Sequence, residues 1–167
     1  RLVSDKGANI LLTALDLLRA KNLNPRLTIV GLGPEEINLK NQLKDLKLET
    51  QVDFLGSLKG SELAKELSKH KILVIPSLWN EPFGISVIES LVSGSPVLVT
   101  PFGSLTELVT KEVGRICKTE TEFVDSFKSL GDFNPKICRD YALSKFDYRQ
   151  MAENYIGLYE RVLKKEV

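Results

Sequence analysis

The sequence predicts an α/β protein built on a Rossmann-like, doubly wound parallel sheet. Five short runs of β-branched and apolar residues occur at positions 27–30, 52–55, 72–75, 97–99 and, more weakly, 114–117. Segments with a helical period of apolar residues separate these runs, so strands and helices alternate along the chain. Runs without polar alternation are typical of strands buried on both faces, as in parallel sheets. Ligands are therefore expected outside the carboxyl ends of the strands.

The helical segments follow from apolar spacing and from residues that favour helix ends. The segment 6–20 has an apolar stripe, and 34–46 has Pro34 in its first turn, where a fixed φ is favourable. Ser61 is the predicted N-cap of a helix over 61–69. Further helices are predicted from Gly84 onward and over 104–110, 120–130 and 135–144.

The last segment, residues 146–167, is predicted to be a long amphipathic helix. Its apolar positions include Met151, Tyr155 and Tyr159. Such a helix either packs on this domain or leaves the core of its own sheet toward another domain, and the pattern alone does not decide between the two.

Length and composition limit the classes of protein. A chain of 167 residues with 43% hydrophobic and 27% charged residues is predicted to form one domain over residues 1–167. The net charge of +1, with both signs interspersed, predicts no nucleic-acid partner. Cys117 and Cys138 are too few for a disulfide scaffold and predict small buried side chains in a reducing compartment. We therefore expect a cytoplasmic protein, and peripheral membrane association of a longer protein stays open.

The segment 76–89 is the most informative part of the sequence. It predicts a loop that carries Glu81 and a helix that begins near Gly84 and carries Glu89. Apolar residues all round this helix predict that it is enclosed on nearly every side, so Glu89 should meet a polar partner. A helix N-terminus binds anions, and a diphosphate between the two carboxylates would leave hydroxyl groups for each of them. The alternative is that both glutamates simply face water.

The first residues look like the end of a strand and the loop into the first helix. Residues 1–7 contain Arg1 and Lys6 but no strand pattern before them. We therefore expect that a strand, or a whole domain, precedes them in a longer protein.

Five ordered motifs give the chain a resemblance to a known family. They are residues 1–7, 29–34, 52–56, 76–89 and 94–97, followed by Gly103 and Glu107. In this order and spacing, they resemble the retaining GT-B glycosyltransferases of family 4, the "glycosyl transferases group 1" domain. The resemblance implies two facing Rossmann-like domains, of which this chain is similar to the C-terminal, donor-binding one. The N-terminal, acceptor-binding domain would then be its partner.

The resemblance also implies roles for individual residues. Arg1 and Lys6 would neutralise the diphosphate of a nucleotide-diphosphate sugar, and Glu81 would face the sugar; these three are the expected catalytic residues. Glu89 would accept hydrogen bonds from the ribose. The remaining substrate contacts implied by the resemblance are Phe83, Gly84, Ile85, Gly31, Gly33, Gly56, Leu58 and Gly103.

Two positions depart from the family pattern. Leu32 stands where the family often has an acidic or amide residue, and Ser104 stands where it has a second glycine. Both departures leave the nucleotide and the sugar undetermined. No pair of aspartates and no cluster of histidine, cysteine and carboxylate suggests a metal site, so no metal or other cofactor is expected.

The function implied is that of the donor-binding half of a retaining, metal-independent glycosyltransferase. This part alone is expected to be inactive in sugar transfer. The alternative is a non-catalytic module that binds a nucleotide or a nucleotide sugar. A dinucleotide oxidoreductase fits less well, because Gly31 and Gly33 lack the third glycine of that fingerprint.

Overall fold

The computed structural model of the protein describes residues 1–165 and contains the predicted alternation of strands and helices. The strands are β1 (Leu27–Ile29), β2 (Val52–Phe54), β3 (Leu73–Ile75), β4 (Val97–Val99) and β5 (Gly114–Ile116). The helices are α1 (Ala8–Arg19), α2 (Glu36–Asp45), α3 (Gly60–Leu67), α4 (Ile85–Val92), α5 (Leu105–Leu108), α6 (Glu120–Lys128), α7 (Pro135–Phe146) and α8 (Tyr148–Leu163). Short 3-10 turns cover Ser4–Lys6 and Leu130–Asp132. The predicted α/β class is confirmed.

All strand pairs are parallel, but they form two sheets rather than one. Strand β1 pairs with β2, and Leu27 lies opposite Val52. Strand β4 lies between β3 and β5, with Val97 opposite Leu73 on one side and Gly114 on the other. Among the described residues, no ladder joins β1 to β3. The predicted Rossmann-like, parallel α/β arrangement is confirmed, and within residues 1–165 its strands form two separate ladders.

Burial differs between the strands because of this division. The side chains of β4 are buried completely, whereas β3 is only half-buried along its whole length. Two apolar cores result, one around α1 and α6 and the other around α4 and β4. The prediction that every strand is buried on both faces therefore holds for β4 and fails for β3, which has one open edge.

The N-caps of the helices were not all predictable from the local sequence pattern. Helix α3 begins at Gly60 after an extended Lys59, and no side chain caps it, so the predicted Ser61 cap is wrong. Side-chain caps occur instead at Thr119, Asn134 and Asp147, which accept hydrogen bonds from backbone N–H groups of α6, α7 and α8.

Helix α8 stands apart from both cores. None of its residues is buried, and Met151, Tyr155 and Tyr159 are each more than half exposed. Residues 166–167 of the predicted helix lie outside the described part of the chain. Whether this helix packs on another domain stays a prediction. No helix within residues 1–165 combines the length and the apolar character that a membrane span needs.

The cysteines lie in the interior as expected. Both thiols are free and fully buried, and burial raises the pKa of each. They therefore act as small core residues.

Candidate functional site

A cavity of about 770 Å³ runs along β1 and β3 and reaches the carboxyl ends of these strands. This is the edge at which parallel α/β sheets place ligands. Most of the predicted site residues line it. They are Arg1, Lys6, Gly31, Leu58, Glu81, Phe83, Gly84, Ile85 and Glu89. Residues from four separate loops are thus brought to one place.

Lys6 and Glu81 form an ion pair at the mouth of this cavity. Their Nζ and Oε1 atoms are 2.5 Å apart, although the residues are 75 positions apart in the chain. Only 30% of the lysine side chain and 12% of the glutamate side chain are exposed. A charged hydrogen bond this sheltered from water is stronger than one on an open surface.

The loop that carries Glu81 is tied to the turn that carries Lys6 through backbone contacts. Leu78 N–H donates to the carbonyl of Asp5 at 2.7 Å, and the hydroxyl of Ser77 donates to the same carbonyl at 3.3 Å. Thr100 in turn donates to the carbonyl of Ser77. These bonds fix the two ends of the Lys6–Glu81 pair independently of the pair itself.

The two carboxylates of the site have opposite pKa shifts. Burial by itself would raise the pKa of Glu81, but hydrogen bonding from Lys6 and Ser77 and the positive charges of Lys6 and Arg1 outweigh it. The pKa of Glu81 therefore lies below its ordinary value of 4.5. Glu89 has no such partner in the described part of the chain, so desolvation raises its pKa. Glu81 is thus held ionised, whereas Glu89 is an acceptor that is easier to protonate.

The N-terminus of α4 faces the cavity beside these carboxylates. Gly84 is the N-cap with φ of 104°, a backbone conformation that favours glycine. A Cβ atom there would lie 3.1 Å from side-chain atoms of both Leu105 and Leu108. The first N–H groups of the helix, at Ile85 and Ser86, have no carbonyl acceptor among the described residues. They leave a partial positive charge that suits an anion.

Helix α4 is buried on one face only, which corrects the predicted enclosure. Val87, Ser90 and Leu91 are buried, whereas Ile85 is 66% exposed and Glu89 is exposed as well. The apolar residue in the first turn projects over the open cavity instead of packing in the core. Glu89 therefore lines the cavity wall, and the expected polar partner is not found within residues 1–165.

Gly103 holds the backbone of Glu81. The two residues form an isolated parallel bridge, and Ser104 N–H donates to the carbonyl of Glu81 at 3.0 Å. A Cβ atom on Gly103, whose φ is 60°, would lie 2.4 Å from that carbonyl oxygen. The Ser104 hydroxyl also donates to the carbonyl of Phe83. The departure at Ser104 thus adds a bond that fixes the loop before α4.

Three predicted substrate contacts do not line the cavity. They are Gly33, Gly56 and Gly103. A Cβ atom on Gly33 would lie 2.1 Å from the carbonyl oxygen of Leu2, and Gly56 accepts a hydrogen bond from Gly31 N–H at 2.6 Å. These glycines let backbone segments approach each other. Their contacts with a substrate stay predictions.

Sequence reasoning gave Ser77 and Ser86 no role and treated Ser104 only as a departure from the family pattern. Ser86 lines the cavity on the first turn of α4, and the other two fix the loop between β3 and α4. A serine two residues after Gly84 was a usable signal for the first one. The other two act through partners distant in the chain, which sequence does not reveal.

Comparison with known proteins places the fold and motifs among glycosyltransferases. The family model described as "Glycosyl transferases group 1" matches residues 1–136. An uncharacterized glycosyltransferase, MJ1607, from Methanocaldococcus jannaschii is 34% identical over 116 residues, which are 70% of this chain and 29% of that protein.

Solved structures give the same picture. The Anabaena protein Alr3699/HepE, solved with UDP and glucose, has a TM-score of 0.79 and 25% identity over 93% of this chain and 46% of that one. Sucrose-phosphate synthase from Thermosynechococcus elongatus has a TM-score of 0.81 over 99% of this chain and 44% of that one; at 22% identity, it shows the fold alone. This chain therefore spans less than half the length of the proteins it resembles.

Proposed function

The chain belongs to the glycosyl transferases group 1 family, and we propose that it is the donor-binding half of a retaining, metal-independent glycosyltransferase of family 4. In this proposal, the cavity at the carboxyl ends of the strands binds a nucleotide-diphosphate sugar. The transfer would move a hexose to an acceptor held by a second domain.

The diphosphate would lie between Lys6, Arg1 and the first turn of α4. All three line one cavity, and two are full positive charges. The lysine ammonium has three N–H donors, so Lys6 can keep its bond to Glu81 and still donate to phosphate. As the bond to the leaving diphosphate breaks, negative charge grows on the phosphate oxygens, and fixed cations and N–H groups stabilise it. The chain's own charges would thus do what a metal ion does in other transferases.

The two carboxylates would bind the groups on either side of the diphosphate. Glu81 stays ionised because of Lys6, which suits a carboxylate that accepts hydrogen bonds from sugar hydroxyls. Glu89 is exposed to the cavity without a partner among the described residues, which suits an acceptor for ribose hydroxyls. The backbone between Phe83 and Ile85 would hold sugar and phosphate oxygens.

One observation carries the proposal: Lys6, Glu81, Glu89 and the free N–H groups of α4 converge on one cavity. A helix end alone, or a pair of glutamates alone, would support no ligand. The binding of UDP and glucose by the Anabaena neighbour supports a nucleotide and a sugar as the ligands of such a site.

The test is calorimetric titration of the chain with UDP-glucose, GDP-mannose, ADP-glucose and NAD, each with and without EDTA. We expect at least one nucleotide sugar to bind, NAD not to bind, and EDTA to leave the affinity unchanged. Lys6→Met should weaken that binding, and Lys44→Met, which removes a lysine outside the cavity, is the control. Binding that requires magnesium or manganese would contradict the metal-independent part of the proposal. Binding of NAD in preference to every nucleotide sugar would contradict the whole.

A non-catalytic binding module is the alternative within the same site. It predicts the same titration result but no transfer when this chain is part of a longer protein with an acceptor domain. Mass spectrometry of the products made by such a protein would separate the two.

A further inference from the structure

Ser104 connects the loop after β4 to the loop that leads into α4. Its hydroxyl donates to the carbonyl of Phe83, and its backbone N–H donates to the carbonyl of Glu81 at 3.0 Å. Ser104 is the N-cap of α5, a position at which serine usually accepts a hydrogen bond from its own helix, yet its side chain makes no capping bond. The hydroxyl therefore holds the neighbouring loop instead of capping α5.

The carbonyl of Phe83 belongs to the peptide that joins Phe83 to Gly84, the N-cap of α4. This peptide is trans, so its C=O and N–H groups point in opposite directions. Because the Phe83 carbonyl faces Ser104, the N–H of Gly84 points away from Ser104. Phe83, Gly84 and Ile85 line the cavity, whereas Ser104 does not. The bond from Ser104 thus turns the N–H of Gly84 toward the cavity.

The N–H of Gly84 is the first of three consecutive free donors. Neither it nor the N–H groups of Ile85 and Ser86 have an acceptor among the described residues. Gly84 has left-handed backbone angles and is followed by a helical residue, and successive N–H groups in this conformation form an anion-binding concavity. The orientation of the Phe83–Gly84 peptide therefore decides whether the first donor of the row is available to an anion.

The same peptide has a second accessible orientation. Rotation of the Phe83–Gly84 peptide by about 180° would change the φ of Gly84 from 104° to about −76°, and glycine populates both regions. The rotated peptide would present a carbonyl oxygen to the cavity in place of an N–H group. An acceptor at this position repels an anion. Since glycine itself prefers neither orientation, the partner of the Phe83 carbonyl selects between them.

We propose that Ser104 is a positioning residue that holds the Phe83–Gly84 peptide in its anion-binding orientation. A glycine at position 104 has no side chain with which to make this bond. The inference rests on the proposed function for the identity of the anion, a nucleotide diphosphate, but the orientation of the peptide can be measured without any ligand. Loss of the hydroxyl lowers the fraction of molecules in the binding orientation, and the apparent affinity falls by the same factor.

The test compares Ser104→Ala, which removes the hydroxyl, with Ser104→Thr, which keeps it. Thr106→Val is the matched control, because the Thr106 hydroxyl donates to the carbonyl of Gly103 within its own loop, at 3.2 Å. Crystal structures of the three variants show the direction of the Phe83 carbonyl. NMR couplings between the Gly84 amide proton and its two α protons report the φ of Gly84 in solution. Calorimetry measures the affinity of each variant for UDP and for inorganic pyrophosphate.

We expect Ser104→Ala to bind both probes about three- to tenfold more weakly, the effect of losing one hydrogen bond. Its Phe83 carbonyl should turn toward the cavity, with the matching change in the Gly84 couplings. Ser104→Thr should restore the affinity and the carbonyl direction, and Thr106→Val should match the unsubstituted chain in both.

A Phe83 carbonyl that keeps its direction in Ser104→Ala would overturn the proposal. Equal affinities of the alanine and threonine variants, in a chain that binds the probes, would overturn it as well. If the unsubstituted chain binds neither probe, the proposed function fails, and the direction of the Phe83 carbonyl in Ser104→Ala then decides the role of Ser104 by itself.

Discussion

At the scale of single residues, the two carboxylates of the site differ in their surroundings. Glu81 is nearly buried and paired with Lys6, whereas Glu89 is exposed to the cavity and has no partner among the described residues. Their pKa values are therefore shifted in opposite directions. Such separation is typical of carboxylates with different tasks in one site.

Loss of the Lys6–Glu81 pair should reduce stability in a way that depends on pH. Lys6→Met leaves a sheltered carboxylate unpaired, and we expect the free energy of unfolding at pH 7 to fall by about 1 to 2 kcal/mol. The pKa of Glu81 is lowered in the folded state. The pair therefore stabilises the fold above the unfolded pKa, and this contribution is lost as pH falls through the folded pKa. Urea denaturation at pH 7 and at pH 3 measures both values.

The control for this pair is Lys40→Met, which removes an exposed i,i+4 pair with Glu36. Its effect should be a few tenths of a kcal/mol. Equal losses of unfolding free energy for the two variants would show that the partial burial of Glu81 does not strengthen its ion pair.

Loss of Glu89 should weaken binding without weakening the fold. Glu89→Gln removes a carboxylate whose pKa is raised by desolvation, so the folded state at pH 7 loses an unfavourable charge and stability should not fall. We expect affinity for a nucleotide sugar to drop by about 1 to 3 kcal/mol. Calorimetry and thermal unfolding of the same variant measure the two quantities, with Glu49→Gln as an exposed control.

The pH dependence provides a second readout for Glu89. Because its pKa is raised, affinity in the unsubstituted chain should decline as pH falls through that pKa, earlier than for an ordinary glutamate. Glu89→Gln should lack this part of the decline. A variant with unchanged affinity and an unchanged pH profile would contradict a role in binding.

At the scale of elements, backbone contacts between loops position the site. The loop after β4 holds the loop after β3 through the bridge between Gly103 and Glu81. The turn before α1 holds the same loop through the Asp5 carbonyl. The side chains of Lys6 and Glu81 meet because three loops are bonded at their backbones.

Gly103→Ala should disturb the site more than the backbone strain of an alanine at positive φ would by itself. The residue has φ of 60°, and a Cβ atom would lie 2.4 Å from the carbonyl oxygen of Glu81. We expect a loss of about 2 to 4 kcal/mol in the free energy of unfolding, together with a shift of Glu81 away from Lys6. Gly60→Ala is the matched control, since Gly60 has φ of 52° with nothing within 4 Å of the added atom. Comparable losses of unfolding free energy in both variants would mean that the close approach of the added Cβ atom to the Glu81 carbonyl does not destabilise the fold.

At the scale of the whole molecule, large apolar surfaces remain uncovered. Met151, Tyr155 and Tyr159 of α8 are more than half exposed, as are Leu78 and Trp79 beside the cavity. The solved structures that this chain resembles belong to proteins more than twice as long.

We predict that this 167-residue chain binds a nucleotide sugar but transfers no sugar to saccharide or lipid-linked acceptors. Transfer needs the acceptor hydroxyl held beside the anomeric carbon in a site that excludes water, and such positioning contributes several kcal/mol. Mass spectrometry after incubation with the donor found by titration measures product. Hydrolysis of the donor without acceptor is measured in parallel, so that a reactive but unselective site is recognised. Turnover at about 1 per second or faster would contradict the prediction.

Much of the fold was predictable because the relevant signals are local. All five strands and the helices between them follow from apolar periodicity, with boundaries within two residues of those observed. The spacing of Glu81 and Glu89, with Gly84 between them, placed one carboxylate on a loop and the other on a helix. Local pattern failed at the N-cap of α3, which is the extended Lys59 and not Ser61.

The sequence by itself determined the α/β class, the order of elements and the residue types available at the carboxyl ends of the strands. Tertiary structure alone decided that Lys6 meets Glu81 across 75 positions, that Glu89 is exposed to a cavity, and that the sheet is divided beside β3. The physical reason is the distance along the chain between the residues that interact. Periodicity and capping depend on neighbours within a few residues, whereas ion pairing, exposure and strand pairing depend on which distant segments the packed core brings together.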